Sequence, residues 1–242
     1  MRVQLFLTAG PLHKVEFEKK TVVVVDVLRS STSICTILMA GARGVIPTAG
    51  PGEAGEMFTK LGPETTVLAG EREGTKIENF QFGNSPFEFT RDSVGGKYVI
   101  LCTTNGTGIF ARAARAGLIL SGALVNISTV AAAVAEAAQD VIIVCAGHEG
   151  GFSIEDTLCG GMLIDLLKNS HHCRLELNDA ASLARLLYDA NRAELKETIG
   201  RGEHGRFLTE IGFGRDVEMS AEVDSRPVLP VMRDGRLIKV EN

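Results

Sequence analysis

Three times along this chain, a short apolar run leads through a polar junction into a helical pattern. The three segments are residues 22–40, 98–116 and 141–169. Repeated alternation of buried strands with helices predicts a largely parallel sheet that carries helices on both faces. The carboxyl ends of parallel strands lie at one edge of a sheet, where open α/β folds bind ligands. We therefore expect the three polar junctions to converge on one site.

The rest of the chain is consistent with this α/β pattern. Asn178 is a predicted N-cap for a helix that runs to about Ile199. Residues 70–89 are polar and Gly-punctuated, which indicates a long loop of the kind that is usually functional. Two apolar segments flank Asp234–Gly235, a pattern typical of a β-hairpin.

These patterns predict one α/β fold over residues 1–242. It is a three-layer α/β/α arrangement with a mostly parallel or mixed sheet and a C-terminal β-hairpin. A chain of 242 residues can form one large domain or two smaller ones. Both versions stay open at this point, the second being two α/β subdomains with the site between them.

Composition narrows the class of function. The net charge is −5 and no Lys/Arg-rich run is present, which argues against nucleic acid as a partner. No apolar run approaches ~20 residues, so we expect no membrane span. Five cysteines without a CxxC motif indicate reduced thiols and a cytoplasmic protein. The apolar region 119–134 packs either internally or against a second subunit, which leaves a homodimer open.

The first junction follows a run of four valines, residues 22–25. Burying Asp26 and Arg29 would cost several kcal/mol each unless they were paired or bound to something. The segment is therefore a structural ion pair or a site, and the three hydroxyls that follow favour a site. An aspartyl-phosphate nucleophile would need a second Asp where Leu28 stands, so Asp26 is better interpreted as a metal ligand. The three hydroxyls belong to Ser30, Ser31 and Thr32.

The second junction, residues 103–108, offers hydroxyls, an amide and unobstructed backbone N–H groups at a predicted helix start. Such a loop suits an oxyanion such as phosphate or sulfonate. It lacks the lysine of a P-loop. The alternative is plain helix capping by Thr104 or Asn105.

The third junction carries Glu155 and Asp156. Residues 153–156 fit a capping box, and the same carboxylates could instead bind a hard cation; spacing leaves both interpretations open. His148 and His204 could act as general acids, although a lone histidine in such a loop is more often solvated. Residues 212–216 and 224–226 could complete the site, although surface turns are the more common outcome for such segments.

Five sequence blocks, in this order over nearly the whole chain, closely resemble the 2-phosphosulfolactate phosphatases. They are Val23–Thr32, Gly70–Arg72, Phe82–Pro86, Thr103–Thr107 and Glu155–Gly161. The resemblance implies a Mg²⁺-dependent acid phosphatase that converts 2-phospho-3-sulfolactate to 3-sulfolactate and phosphate. That reaction belongs to coenzyme M biosynthesis. The resemblance thus implies a small anionic organophosphate as the substrate.

The resemblance also distributes roles among the residues. The implied mechanism is in-line attack on phosphorus by a metal-activated water, with a covalent intermediate on Asp26 or Ser30 left open. The alternatives are a phosphatase for another small 2-phospho-acid and a non-catalytic organic-anion-binding protein. The expected catalytic residues are Asp26, Arg29 and His148; the substrate-binding residues are Ser30, Ser31, Thr32, Arg72, Asn84, Ser85, Thr103, Thr104, Asn105, Gly106 and Thr107; the Mg²⁺ ligands are Asp26, Glu71, Glu155 and Asp156.

Overall fold

The computed structural model describes residues 1–240, apart from the side chains of His13 and Lys14. The described residues form one sheet of eleven strands. Its strands are β1 (Arg2–Phe6), β2 (Thr21–Val25), β3 (Gly44–Thr48), β4 (Thr66–Arg72), β5 (Thr75–Lys76), β6 (Tyr98–Cys102), β7 (Leu118–Gly122), β8 (Val141–Cys145), β9 (Glu176–Leu177), β10 (Leu229–Arg233) and β11 (Arg236–Val240).

Ten α-helices and three short 3₁₀ helices are found in the described residues. The α-helices are α1 (Ser30–Met39), α2 (Pro51–Leu61), α3 (Arg91–Val94), α4 (Thr107–Arg112), α5 (Ile127–Ala137), α6 (Ile154–Asn169), α7 (Asp179–Asn191), α8 (Leu195–Arg201), α9 (Glu203–Glu210) and α10 (Gly214–Ser220). The 3₁₀ helices span Gly10–Lys14, Pro86–Glu88 and Leu124–Asn126. No helix among the described residues is long and apolar enough to cross a membrane.

The strand order is β5-β4-β6-β3-β11-β10-β7-β2-β8-β1-β9. Strands β4, β6 and β3 pair in parallel, and so do β7, β2, β8, β1 and β9. The predicted C-terminal hairpin, β10–β11, lies between these two groups and pairs antiparallel with both. The sheet is therefore mixed, and its centre is made from the last strands of the chain.

Because the hairpin pairs antiparallel with both groups, the strands of one group run opposite to those of the other. The carboxyl ends of the two groups nevertheless meet. Ser30, just after β2, lies with its Oγ 3.1 Å from Oγ1 of Thr103, just after β6. Strand-to-strand twist of roughly 20–25° accumulates to about 100–125° over the five steps from β6 to β2. The sheet thus curls around α1, whose residues 30–38 are all buried.

The curled sheet separates three larger apolar cores, and a fourth, small cluster consists of Cys35, Ala123, Val125 and Val228. The concave core joins both strand groups to α1 and α4, with Val22, Ile34 and Val99 among its members. Helices α5, α6 and α7 cover the outer face of the β2 group, and α2 covers the outer face of the β3 group. The predicted three-layer α/β/α fold is confirmed.

Several local predictions change. Asn178 does cap α7, since its Oδ1 accepts from the Ala181 N–H at 2.9 Å, but α7 ends at Asn191 and α8 is separate. The predicted loop over residues 70–89 is partly wrong, because β4 and β5 form a hairpin there. Its turn residues Glu73 and Gly74 both have positive φ, 50° and 75°, and the pair lacks the Asn-Gly or Asp-Gly signal for such turns.

The apolar region 119–134 packs internally. Leu120 of β7 and three residues of α5 are all buried in the core that β7 shares with α5 and α6. The three α5 residues are Ile127, Val130 and Val134. Its apolar pattern therefore belongs to the core of the chain itself.

Candidate functional site

The polar junctions after β2, β4, β6 and β8 open into one cleft of about 220 Å³. The expected convergence of the three repeated junctions is therefore present, with α9 closing the cleft from a further side. The cleft is lined by Asp26, Leu28, Arg29, Ser30, Glu71, Glu73, Gly74, Asn84, Thr104, Asn105, His148, Glu149, His204, Phe207 and Leu208.

The charges of this lining are mostly negative. Four carboxylates, from Asp26, Glu71, Glu73 and Glu149, stand against the single guanidinium of Arg29. The two histidines are the remaining basic groups. An anion enters such a cleft favourably only if a cation or bound protons accompany it.

Asp26 is held by the first turn of α1. Its Oδ2 accepts from the Ser30 Oγ–H at 2.7 Å and its Oδ1 from the Ser30 N–H at 3.3 Å. Burial raises the pKa of Asp26, while the Ser30 bonds and the charge of His204 lower it in part. Each carboxylate oxygen keeps a lone pair for a further ligand.

A chain of hydroxyls connects Asp26 with the β6 junction. The Thr107 N–H lies 3.4 Å from Thr103 Oγ1, which contacts Ser30 Oγ in turn. Side-chain capping by Thr104 or Asn105 is wrong: Gly106 is the N-cap of α4 and makes no side-chain cap. Within the described chain, no partner is found for the backbone N–H groups of Asn105 and Gly106.

Arg29 pairs with Asp216, not with Asp26. Its Nη1 lies 2.9 Å from Asp216 Oδ2, and its Nη2 donates to the carbonyl of Gly74 at 2.7 Å. The guanidinium also stacks 4.2 Å above the Phe213 ring. Ser85 donates to the other Asp216 oxygen at 2.8 Å. Of the two C-terminal segments, 212–216 therefore contacts Arg29 from beneath the cleft, and none of its own residues belongs to the cleft lining.

The second segment, 224–226, has a different role. Asp224 accepts from the backbone N–H of Ser128 at 2.9 Å, at the first turn of α5. It lies outside the cleft lining.

Glu71 joins two of the loops. Its Oε1 accepts from the Thr104 N–H at 2.8 Å, and its Oε2 accepts from the Gly74 N–H at 2.9 Å. Arg72 lies outside the cleft lining, where it donates to the Glu71 carbonyl and to Cys102 Sγ. The carboxylate of Glu71 faces the cleft, and its guanidinium neighbour faces away.

Five of the expected substrate-binding hydroxyls lie outside the cleft lining and bond within the fold: those of Ser31, Thr32, Ser85, Thr103 and Thr107. Ser31 Oγ accepts from the Asp26 N–H at 3.1 Å, and Thr32 Oγ1 donates to the Val27 carbonyl at 2.9 Å. Asn84 is the opposite case. The residue lines the cleft, and its buried Oδ1 has no hydrogen-bond partner among the described residues.

Asp156 fastens two strand ends and lies outside the cleft lining. Its Oδ1 accepts from the Val27 N–H at 2.8 Å and its Oδ2 from the Gly147 N–H at 3.0 Å. Burial raises the pKa of Asp156 well above its usual value. The predicted capping box is wrong, because Ser153 makes no side-chain cap on α6. The spacing of Ser153 and Asp156 fits a capping box, but the Asp156 carboxylate accepts its hydrogen bonds from Val27 and Gly147 instead.

Two histidines stack against each other at one side of the cleft. The ring centroids of His148 and His204 are 4.1 Å apart at an interplanar angle of 16°. His204 Nδ1 lies 3.0 Å from Glu155 Oε1. Burial lowers the pKa of His148, and the charge of His204 lowers it further. Glu155 thus contacts His204 rather than the cleft.

The structure places the four expected metal ligands in two groups. Asp26 and Glu71 line the cleft, whereas Glu155 and Asp156 do not. Within the described residues, no three His, Cys, Asp or Glu side chains are arranged to hold a metal ion. Mg²⁺ needs only one or two carboxylates because it keeps several waters. The unpartnered Asn84 oxygen is a further hard donor in the same cleft, so Asp26, Glu71 and Asn84 fit this ion.

The sequence interpretation did not single out Gly74 or Phe207. Gly74 belongs to a turn without a recognisable signal, and Phe207 belongs to the amphipathic α9. A glycine in a turn and a phenylalanine on an amphipathic helix do not indicate a functional site unless their contacts in the folded protein are known.

Comparison with known proteins gives a consistent family. The family model described as 2-phosphosulpholactate phosphatase matches residues 6–235. A protein of Caldanaerobacter subterraneus, named probable 2-phosphosulfolactate phosphatase, is 35% identical over 235 residues, 97% of each chain. A protein of Clostridium acetobutylicum with the same name is 35% identical over 238 residues, 98% of this chain and 100% of the relative. A third, of Carboxydothermus hydrogenoformans, is 37% identical over 223 residues, 91% of this chain and 90% of the relative.

Proposed function

The chain belongs to the 2-phosphosulfolactate phosphatase family, and from this premise we propose that it is a Mg²⁺-dependent phosphoric monoester hydrolase. Its substrate is 2-phospho-3-sulfolactate, and its products are 3-sulfolactate and phosphate, as in coenzyme M biosynthesis. The names of the related proteins support the reaction. The five free cysteines favour a reducing compartment such as the cytoplasm.

The charge imbalance of the cleft is the observation that carries the Mg²⁺ requirement. The substrate brings a phosphate, a sulfonate and a carboxylate to a lining with four carboxylates and one guanidinium. Arg29 is already neutralised by Asp216 at 2.9 Å. Asp26, Glu71 and Asn84 would hold a divalent cation, which when bound would offset this repulsion and the charge of the phosphoryl oxygens.

The residues of the chain position the phosphoryl group. A phosphomonoester offers little covalent chemistry to the protein, so catalysis depends on placement and charge stabilisation. Arg29 retains N–H donors beyond the two that Asp216 and Gly74 occupy. Those donors suit the phosphoryl oxygens, together with the N–H groups of Asn105 and Gly106, which have no partner among the described residues.

Ser30 and Thr103 keep Asp26 in place. The bond from Ser30 Oγ to Asp26 Oδ2 fixes the carboxylate, and Thr103 fixes Ser30. This arrangement favours Asp26 as a fixed anion over a mobile nucleophile. His148 lines the cleft and is a candidate for handling protons.

The test is phosphate release from 2-phospho-3-sulfolactate by the purified protein. We expect activity with Mg²⁺, loss with a chelator, and a loss of more than 100-fold in Asp26→Asn. Asp234→Asn, in the exposed hairpin turn, is the matched control and should keep wild-type activity. Full activity in the presence of the chelator, or in Asp26→Asn, would contradict the metal–carboxylate site.

Two alternatives are separated by the same assay. A phosphatase for another small 2-phospho-acid would hydrolyse 2-phospholactate at least as well as the sulfonated ester. A non-catalytic anion-binding protein would bind the phosphate ester in calorimetry with Mg²⁺ present and release no phosphate.

A further inference from the structure

A second cavity of about 200 Å³ lies behind the paired histidines. It is lined by His148, Phe152, Ser153, Ile154, Glu155, Gly202, Glu203 and His204. His148 and His204 also line the cleft, so the stacked rings form a wall between the two spaces.

Three buried polar atoms of this cavity have no partner among the described residues. They are His148 Nδ1, Ser153 Oγ and Glu155 Oε2. Unpaired buried polar groups are costly, and a group of them around one cavity is the usual setting of ordered water. A water that contacts all three atoms would have the two to four polar partners that a buried water requires.

Glu155 distinguishes the two histidines. Its Oε1 engages His204 Nδ1 at 3.0 Å, which leaves Nε2 of that ring for the cleft. A carboxylate at this distance stabilises an imidazolium. The charged groups near His148 are His204, Glu149, Glu155 and Glu203, and burial with the His204 charge keeps the pKa of His148 low.

Stacked rings 4.1 Å apart do not carry two positive charges cheaply. His204 is the ring that contacts a carboxylate, whereas burial lowers the pKa of His148 beside it. Neighbouring titratable groups in such different environments are the usual mark of an acid–base assignment.

We propose that His204 is the proton donor to the leaving oxygen of the ester, that Glu155 is its positioning residue, and that the cavity behind them holds a water that hydrogen-bonds to Glu155 Oε2. The inference rests on the proposed function, because it assigns a step of the same phosphoryl transfer. It assigns the proton to a residue on α9, whereas the sequence had named His148 as the expected catalytic histidine.

As the bond between phosphorus and the ester oxygen breaks, its electron pair goes to that oxygen, which takes the proton from His204 Nε2 and leaves as the alcohol. The water oxygen bonds to phosphorus and forms dihydrogen phosphate. One proton of this phosphate then returns to His204 Nε2, so that hydrogen phosphate and the imidazolium are restored.

Leaving-group dependence tests this proposal, because only a poor leaving group needs a proton. His204→Gln is compared with wild type on 2-phospho-3-sulfolactate and on p-nitrophenyl phosphate, both with Mg²⁺. We expect kcat on the alkyl ester to fall about 100- to 1,000-fold and kcat on the aryl ester to fall less than about fivefold. Equal losses on both esters, or no loss on the alkyl ester, would overturn the proposal.

Two further variants keep the test decisive. Glu155→Gln keeps the hydrogen bond without the charge, and we expect the alkaline limb of its kcat–pH profile to move to lower pH; an unmoved limb counts against Glu155 as a positioning residue. His171→Gln replaces an exposed histidine after α6 and should match wild type on both esters. Absence of phosphate release by the wild type would refute the proposed function itself, which separates the two failures.

Discussion

Gly106 lies so close to Asp26 that a Cβ on this glycine would stand 2.3 Å from Asp26 Oδ2. Its φ and ψ of −78° and −40° are allowed for any residue, so the need for glycine here is steric. The Thr-Thr-Asn-Gly-Thr block therefore provides the space that the Asp26 carboxylate occupies, in addition to hydroxyls and N–H groups.

Gly106→Ala should accordingly displace the carboxylate or the loop. We expect at least a tenfold loss of kcat and a fall of about 1–3 kcal/mol in the free energy of unfolding, measured by urea titration. Gly108→Ala is the matched control: a Cβ there meets no atom within 4 Å, and helix propensity favours alanine by up to about 1 kcal/mol. Similar behaviour of the two variants would mean that the close approach at Gly106 is unimportant.

Asp216→Asn tests the buried ion pair under the cleft. Arg29 and Asp216 are 2–3% exposed, so removing the carboxylate charge leaves a guanidinium buried without its counter-ion. We expect a loss of about 3 kcal/mol in the free energy of unfolding, measured by urea titration. Glu218→Gln, on the same helix in an exposed pair with Lys196, should change it by less than about 0.5 kcal/mol. Equal effects of the two changes would contradict this assignment.

The position of this pair shows how far the sequence could lead. A four-valine strand that ends in charge predicted a site at residues 26–32, and the pattern of three junctions predicted which loops would meet there. The partner of Arg29 lies 187 residues away, on a helix whose sequence also fits a surface turn. Asp216 meets Arg29 only through the tertiary packing of the curled sheet and its helices. No local sequence pattern encodes that packing.

Asp156 shows the same difference between local and tertiary information. Its spacing from Ser153 fits a capping box, but its oxygens accept from Val27 and Gly147, at the ends of β2 and β8. The hairpin β10–β11 was predicted from its turn. Its place in the middle of the sheet depends on the unpaired edges of β7 and β3, with which it pairs. The helices and strands could be predicted from the sequence, but the distant residues and strands that they contact could not.

His148 should make the stability of the protein depend on pH. Burial and the charge of His204 lower the pKa of His148 below its ordinary value of 6.5. The folded protein therefore binds fewer protons at this site than the unfolded chain, and the stability contribution is present above about pH 6.5 and is lost as the pH falls. His148→Gln removes this dependence.

The measurement is urea unfolding of both proteins at pH 5.5 and pH 7.5 in metal-free buffer. We expect the stability of wild type, relative to His148→Gln, to be higher at pH 7.5 than at pH 5.5. His172→Gln, in an exposed loop, should leave the wild-type dependence intact. A difference of opposite sign would indicate that His148 gains a proton on folding.

The substitution Asn84→Ala should affect Mg²⁺ binding much more than the stability of the fold. Its buried Oδ1 has no partner among the described residues, and an unpaired acceptor of this kind costs about 1–3 kcal/mol. In Asn84→Ala the removal of that cost offsets the lost packing, so we expect the free energy of unfolding in metal-free buffer to change by less than about 1 kcal/mol. The Mg²⁺ concentration for half-maximal activity should rise more than tenfold, because a hard oxygen donor is lost.

Ser85→Ala is the crossed control for this prediction. The Ser85 hydroxyl donates to Asp216 Oδ1 at 2.8 Å, so its removal should cost about 1 kcal/mol of stability. The Mg²⁺ requirement of Ser85→Ala should stay within about twofold of wild type, because its hydroxyl is bound beneath the cleft rather than in its lining. An unchanged Mg²⁺ requirement in Asn84→Ala would remove Asn84 from the metal site and leave the ion to Asp26 and Glu71.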